Sequence, residues 1–246
     1  MTGGSVERER GWLRRLWWLW LVLLLAGLGG LGWAATQSAL LDVERIEVEG
    51  AGGNVTEVEI LAVAGIRLGQ PLVELDLAAV DARLTAVPWI AEATVSRSWS
   101  GTVRLRILER SAVAVGVDPE GRRVLLDSVG AVLEEVPMAA PEPGFTRIRI
   151  DGFGPTGSRI QGIAPLLRAA EAVPSDLGAW IVALTPTGDG IRAELVGGAV
   201  AEFGESDDYR DQVRTLATVL TQVTLTCLRE VDVSIPENPV VRRGAC

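Results

Sequence analysis

Residues 86–99 read AVPWIAEATVSRSW, and they set a boundary between two kinds of structure. Pro88 biases Val87 away from the helical region, so a helix must end there. After Ile90, the residues Ala91, Ala93 and Val95 share a side with Arg97 and Trp99, while Glu92, Thr94, Ser96 and Ser98 share the other. A period of two marks a half-buried strand. Upstream, Leu77, Val80, Leu84 and Val87 fall on one helical face behind a capping Asp76. Downstream, Ser100-Gly101 makes a turn into TVRLRILER, where Val103, Leu105 and Ile107 alternate with Arg104, Arg106 and Leu108. Further upstream, VERIEVEG (43–50) alternates Val43, Arg45, Glu47 and Glu49 against Glu44, Ile46 and Val48. Thr56 and Glu59 then spell a capping box, and Gly65 supplies a stop, so a short helix is expected over about 57–64. The order is β-α-α-β-β, with two helices expected on one face of a three-stranded sheet. Pro88 ends the second helix, and Trp89 is expected at the helix–sheet corner.

Composition removes whole classes of chemistry. The 246 residues contain no histidine, and all 23 basic residues are arginine. Ser-His-Asp and Cys-His triads, imidazole metal sites, a phosphate-loop lysine and Schiff-base catalysis are therefore excluded. Cys227 and Cys246 are the only cysteines, too few for a disulfide framework or a four-cysteine zinc site. One bridge is possible outside the cytoplasm; the simpler expectation is a buried Cys227 and a free terminal thiol. A net charge of −9 argues against nucleic acid as a partner. Residues 1–15 carry four arginines against two glutamates, so the remainder carries −11.

Residues 16–35, LWWLWLVLLLAGLGGLGWAA, hold nothing charged. At helical rise they reach about 30 Å, the thickness of a bilayer core. Trp12, Trp17, Trp18 and Trp20 crowd one end and Trp33 marks the other, as interfacial aromatics do. Arginines precede the span and acidic residues follow it, which places 1–15 in the cytoplasm and everything after the span outside. The run exceeds the usual apolar core of a cleaved signal peptide, so a retained transmembrane helix is expected. Ala26, Gly30 and Ala34 lie four apart, a small-residue stripe able to seat a partner helix.

Beyond residue 115 short alternating runs continue. RRVLLDSVGAVLEEV gives two strands, FTRIRID (145–151) a third, and WIVALTP, IRAELVG and AVAEFG three more. Pro165 suits the first turn of a helix with Leu166, Leu167, Ala170 and Val173 inward. SDDYRDQVRTLATVLTQV is a second helix, with Asp207 and Asp208 at its positive end and Val213, Leu216, Leu220 and Val223 in a stripe. TCLREVDVSI closes as a strand, and 236–246 reads as a short tail interrupted by Pro236 and Pro239. The fold class is α+β: a transmembrane helix, a β-α-α-β-β domain over 42–115, and a mainly antiparallel β domain with two helices over 116–235.

Three stretches resemble catalytic motifs by spelling. GFGPTG (152–157) satisfies the dinucleotide fingerprint, but Pro155 lies inside it and no second parallel strand with a ribose-binding acid follows. LDSVG (126–130) is close to an aspartic-protease motif, but Val129 intervenes and no second copy exists to complete a dyad. Glu134-Glu135 and Asp207-Asp208 are adjacent pairs that diverge on a strand or cap a helix. No cofactor, metal or catalytic residue is expected.

VERIEVEG, GQPLVELD, VPWIAEATVSRSW, ILERSAVAV and LDSVGAVL, in that order behind a single anchor, resemble the POTRA domain of the FtsQ/DivIB family of bacterial cell-division proteins. Members usually carry proline after the tryptophan, where this chain has Ser100, and often at the strand exit, where it has Ala112. The resemblance implies a non-enzymatic scaffold of the divisome, single-pass in the cytoplasmic membrane and placed at the septum. Its implied partners are the bitopic proteins FtsL and FtsB (or DivIC), through which it would help control septal peptidoglycan synthesis. In the family the C-terminal sheet edge receives the FtsB-type partner, which points here to Arg229, Val231, Val233, Ile235, Val240, Val241 and Arg242. The two prolines make the final family strand short or missing. Two other readings stand beside this one. A POTRA protein of another assembly or transport complex would be expected to show several POTRA repeats or a membrane barrel. A carboxylate-dependent cell-wall hydrolase would need a pocket with two convergent acids.

Overall fold

The computed structural model describes residues 17–28, 30, 42–141, 143–223 and 227–245. Helix α1 covers 17–28, and its side chains are exposed all round, from Leu21 at 38% to Trp18 and Trp20 at 66%. Among the described residues no helix is long and apolar enough to cross a membrane. Residues 16, 29 and 31–35 of the expected 16–35 span, including Ala34 of the small-residue stripe, lie outside the described residues. Ala26 and Gly30 lie within them, and a Cβ added to Gly30 would meet nothing within 4 Å.

Two compact units follow. The first comprises the described residues up to Leu84 together with Glu92–Leu108; the second comprises Thr85–Ala91 and Glu109 onward. In the first, β1 (Arg45–Glu49), α2 (Glu57–Ala64), α3 (Leu77–Thr85), β2 (Ile90–Arg97) and β3 (Thr102–Glu109) build a three-stranded sheet ordered β1-β3-β2. β1 runs parallel to β3. The predicted capping box is present: Thr56 Oγ1 accepts from Glu59 N–H, and Glu59 Oε2 accepts from Thr56 N–H at 2.8 Å. That hydrogen bonding holds the Glu59 carboxyl below its ordinary value. Gly65 caps the other end in the left-handed conformation. Asp76 Oδ1 accepts from Ala79 N–H at 3.0 Å and opens α3, which stops three residues short of Pro88. Ile60, Leu72, Val80, Leu84, Val103 and Leu105 are buried to about 1% or less and form the core.

Two arginines join helix and loop carbonyls within this unit. Arg83 on α3 donates to the free carbonyls of Val63 and Ala64 at the end of α2, the latter at 2.6 Å. Arg97, on the inward side of the β2 alternation, donates to the Leu72 carbonyl and, at 3.3 Å, to that of Leu75. Its guanidinium lies 5.7 Å from the centre of the exposed Trp99 ring. An arginine on an apolar face is here a loop-holding group.

The second unit is built on a nine-stranded sheet. Its strands are β4 (Ala112–Val117), β5 (Arg123–Asp127), β6 (Val132–Val136), β7 (Thr146–Arg149), β8 (Ile181–Thr187), β9 (Gly190–Leu195), β10 (Val200–Gly204), β11 (Leu228–Asp232) and β12 (Val240–Arg243). The order is β12-β11-β10-β9-β8-β7-β4-β5-β6. β10–β11, β4–β7 and β7–β8 are parallel and the other contacts antiparallel. Helices α4 (Ala164–Ala172) and α6 (Arg210–Gln222) pack on it, with a four-residue α5 (Ser175–Gly178) that the sequence did not announce. Leu166, Leu167, Val213 and Leu216 fill the layer between helices and sheet. Phe203 and Tyr209 are its largest side chains and lie 6.4 Å apart between ring centres.

Two expectations shift. Residues 112–115 read as part of the first domain, yet β4 pairs with β5 and β7 of the second sheet. The stretch 236–246 read as a tail, yet it carries β12.

Candidate partner interface

The far edge of the nine-stranded sheet is a hairpin of β11 and β12. β11 is paired on both sides: Val200, Ala201 and Glu202 of β10 lie opposite Glu230, Val231 and Asp232, and β12 covers the other side. In that second ladder Val231 faces Val241 and Asp232 faces Val240. β12 ends the sheet, so its outer backbone N–H and C=O groups are unpaired by any strand among the described residues. Such a row can template an added strand.

The connection between the two strands is fixed. Asp232 Oδ1 accepts from Ser234 N–H at 3.0 Å and from Ser234 Oγ at 2.6 Å, an Asx turn leaving β11. The Ser234 bonds, with Arg242 adding a favourable charge, hold the Asp232 carboxyl below its ordinary value. Val233 N–H donates to Glu202 O at 2.8 Å, and Thr215 Oγ1 on α6 donates to Pro236 O at 3.2 Å. Gly204 takes φ +67, and a Cβ there would sit 2.8 Å from the Ser234 Cβ, so only glycine lets the turn pass. Across the hairpin Arg242 and Glu230 are register partners with an ion pair at 2.7 Å.

The seven residues expected at this edge separate into two groups. Val231 and Val233 are fully buried in the core, so they offer a partner no side chain. Arg229, Ile235, Val240 and Arg242 are exposed, and Val241 is half-buried against the core. The cause is a bulge. Leu228 faces Arg243 while Glu230 faces Arg242, so Arg229 is the extra residue and leaves the alternation that 231 and 233 follow. The hairpin end that sequence reasoning missed is at Cys227. It is disulfide-bonded, not the free core thiol expected, and its carbonyl accepts from Gly244 N–H at 2.9 Å. The chain's other cysteine, Cys246, lies outside the described residues.

The motif look-alikes take structural places. Asp127 of LDSVG is buried; its Oδ1 accepts from Val129 N–H (3.0 Å) and Ala131 N–H (2.7 Å), and its Oδ2 pairs with Arg110 at 2.6 Å. GFGPTG does not open a helix: Gly157 N–H donates to Val132 O at 2.7 Å, so the loop lies along the start of β6. Asp208 accepts from Arg210 N–H at 3.0 Å at the start of α6. An open cleft of about 660 Å³ lined by Phe145, Arg147, Val182 and Val196 contains one carboxylate, Glu171. A smaller one of about 270 Å³ gathers Glu171, Asp207 and Asp208 with Arg168 and Arg210.

The family model for the POTRA domain, FtsQ-type, matches residues 41–110, the span of the β-α-α-β-β unit. Over 228 residues the chain is 33% identical to the cell division protein FtsQ of Streptomyces collinus, covering 89% of this chain and 84% of that one. The chain belongs to the FtsQ family. FtsQ of Streptomyces bingchenggensis is 29% identical over 219 residues, 86% of this chain and 80% of its own length. FtsQ of Mycolicibacterium smegmatis is 29% identical over 242 residues, 97% of this chain and 68% of its own. This FtsQ-family chain is thus a cell-division protein, with an α+β fold made of a POTRA domain and a C-terminal β-sheet unit.

Proposed function

We propose that this chain is a non-enzymatic scaffold of the division machinery, held in the cytoplasmic membrane by a helix over 16–35. Residues 1–15 lie in the cytoplasm, and both folded units lie outside it at the septum. It binds FtsL- and FtsB/DivIC-type bitopic proteins and through them helps control septal peptidoglycan synthesis. The single observation carrying this reading is the sheet edge: β11 is paired on both sides, while no strand among the described residues pairs with the outer side of β12. A partner segment would add there as a further strand, with Arg229, Ile235, Val240, Val241 and Arg242 beside it. The 20-residue uncharged run supports the anchor.

The test is depletion in the source bacterium with complementation by fluorescent fusions of the full chain and of a chain ending at Ile235. The full chain is expected as a midcell band that restores septation. The shortened chain is expected at the membrane but unable to recruit the FtsB-type partner. An even envelope signal with normal septation on depletion would overturn the division role, and full recruitment by the shortened chain would overturn the docking edge.

A further inference from the structure

β12 is held on the sheet by little of its own. It has four residues, of which Val240, Arg242 and Arg243 are exposed. It gives the core one half-buried side chain, Val241. Its ion pair to Glu230 is largely solvated on the Arg242 side, and such pairs contribute little. So small a buried apolar area gives β12 little hydrophobic hold on the sheet beyond its ladder to β11.

The open end of the hairpin carries what the ladder lacks. Cys227 stands one residue before β11, and its carbonyl bonds to Gly244, one residue after β12. Cys227 is disulfide-bonded, and it is the one non-glycine residue described with positive φ, at 69°. A non-glycine residue in that region is uncommon and marks a locally constrained backbone at the hairpin's open end. The only other cysteine in the chain is Cys246, three residues past the end of β12.

We infer that Cys227 and Cys246 form a clasp that keeps β12 on the sheet, so that the redox state of this pair decides which strand edge is offered. Oxidised, the unit presents β12; reduced, β12 leaves and β11 becomes the edge, with a different register and no Arg242 or Arg243 beside it. The consequence for a partner rests on the docking edge proposed above; the clasp itself does not. Closure follows ordinary exchange: one thiolate attacks a disulfide of an oxidised dithiol carrier, giving a mixed disulfide and one carrier thiol. The second cysteine thiolate then attacks the sulfur bound to the carrier and releases its other thiol. Two electrons pass to the carrier, the two cysteine protons end on its thiols, and a reduced dithiol reverses the step. An extracytoplasmic location supplies the oxidising setting.

The test uses the full chain in detergent, as isolated, after reduction by a phosphine, and as the double variant Cys227→Ser, Cys246→Ser. Peptide mapping without reduction is expected to recover the 227–246 cross-link. On reduction, and in the double variant, amide exchange in β11 and β12 is expected to quicken by about a hundredfold, from the loop-closure entropy released. Amides of β8 and β9 serve as the internal control for folding and stay protected. Equal protection of β11 and β12 in all three states would overturn the clasp, as would free thiols at both positions in chain taken from its native compartment. If exchange differs as expected while FtsB-type partner recruitment is the same with and without the cysteines, the clasp stands and the docking edge falls.

Discussion

Replacing Asp127 by alanine separates a structural corner from a chemical acid. The Asp127 side chain is 6% exposed and its partner Arg110 22%, so their 2.6 Å contact is largely shielded from water. Alanine removes that contact and also leaves the N–H groups of Val129 and Ala131 without their acceptor, the latter in a buried residue. Breaking a buried pair by deleting one member costs about 3–5 kcal/mol, because the other charge stays behind. Against a typical domain stability of about 5–15 kcal/mol this is a large fraction. With a urea slope of about 1–3 kcal/mol/M, the midpoint of the second unit falls by one to several molar. The assay is urea unfolding of the detergent-solubilised chain, followed by hydrogen exchange at β5 and β6 amides so that the second unit is read directly. Asp127→Asn retains an acceptor for the two N–H groups and is expected to lose less than alanine does. If D127A unfolds like the wild type yet fails to support septation, the corner reading is refuted and a chemical role for this acid must be considered.

Leu84→Ala empties a fully buried site in the first unit and is expected to cost about 2–5 kcal/mol, seen as early loss of exchange protection in α3 and β3 with the β8–β9 amides unaffected. Arg97→Met keeps the stem but deletes the donor to the Leu72 and Leu75 carbonyls, for an expected loss of about 1.5–3 kcal/mol, read as a lower urea midpoint of the first unit. Acid should loosen the β11–β12 hairpin. The Asp232 carboxyl lies below its ordinary value of 3.8 in the folded chain, so its contribution is complete above that pH and is lost as pH falls below it through the lowered folded value. Glu194, held below 4.5 by the Arg149 hydrogen bonds at 3.0 and 2.7 Å, acts in the same direction from its own higher starting pH. Chemical-shift titration of Ser234 and Thr185 between pH 6 and 2 follows each group, and a hairpin equally protected at both ends of that range would count against the Asx turn.

Where a single local rule decides, sequence and structure agree. The capping box at Thr56, the Asp76 cap, the stop before Pro88, the alternation of β2 from Glu92 onward (Ala91 is exposed) and that of β3 each depend on neighbours within four residues. The boundary near residue 110 was harder, because ILERSAVAV runs on without glycine or proline although β3 and β4 join different sheets. The β11–β12 edge was legible only in part. Alternation through LREVDVSI places 229, 231, 233 and 235 on one face, but the bulge at Arg229 and the Asx turn at Asp232 put the first and last in solvent. β12 itself has two prolines before it and two arginines within it, and its two valines are too short a run to mark a strand by themselves. The stronger sequence signal was the pair of cysteines, which bracket the hairpin from just before β11 to just after β12.

Exposed edges are normally guarded, and the manner of guarding distinguishes them. Just before β1, Val43 exchanges hydrogen bonds with Gln70 O (2.9 Å) and Gly69 N–H (2.8 Å), so a connector covers the approach to that edge. At the start of β6, Val132 does the same with Gly157 and Ser158, so the glycine-rich loop that spells a nucleotide motif is an edge cover. Among the described residues, β12 is covered by neither a connector nor a loop. It adds little burial, yet the connection before it is tied to α6 through Thr215 and the strand before it begins at a disulfide-bonded cysteine. If the clasp proposed above holds its far end as the Thr215 bond holds its near one, a strand that buries so little is kept in place for its outer side. On the proposed clasp and docking edge, fixing β12 precedes docking, so cysteine variants should weaken partner recruitment before they weaken the sheet behind it.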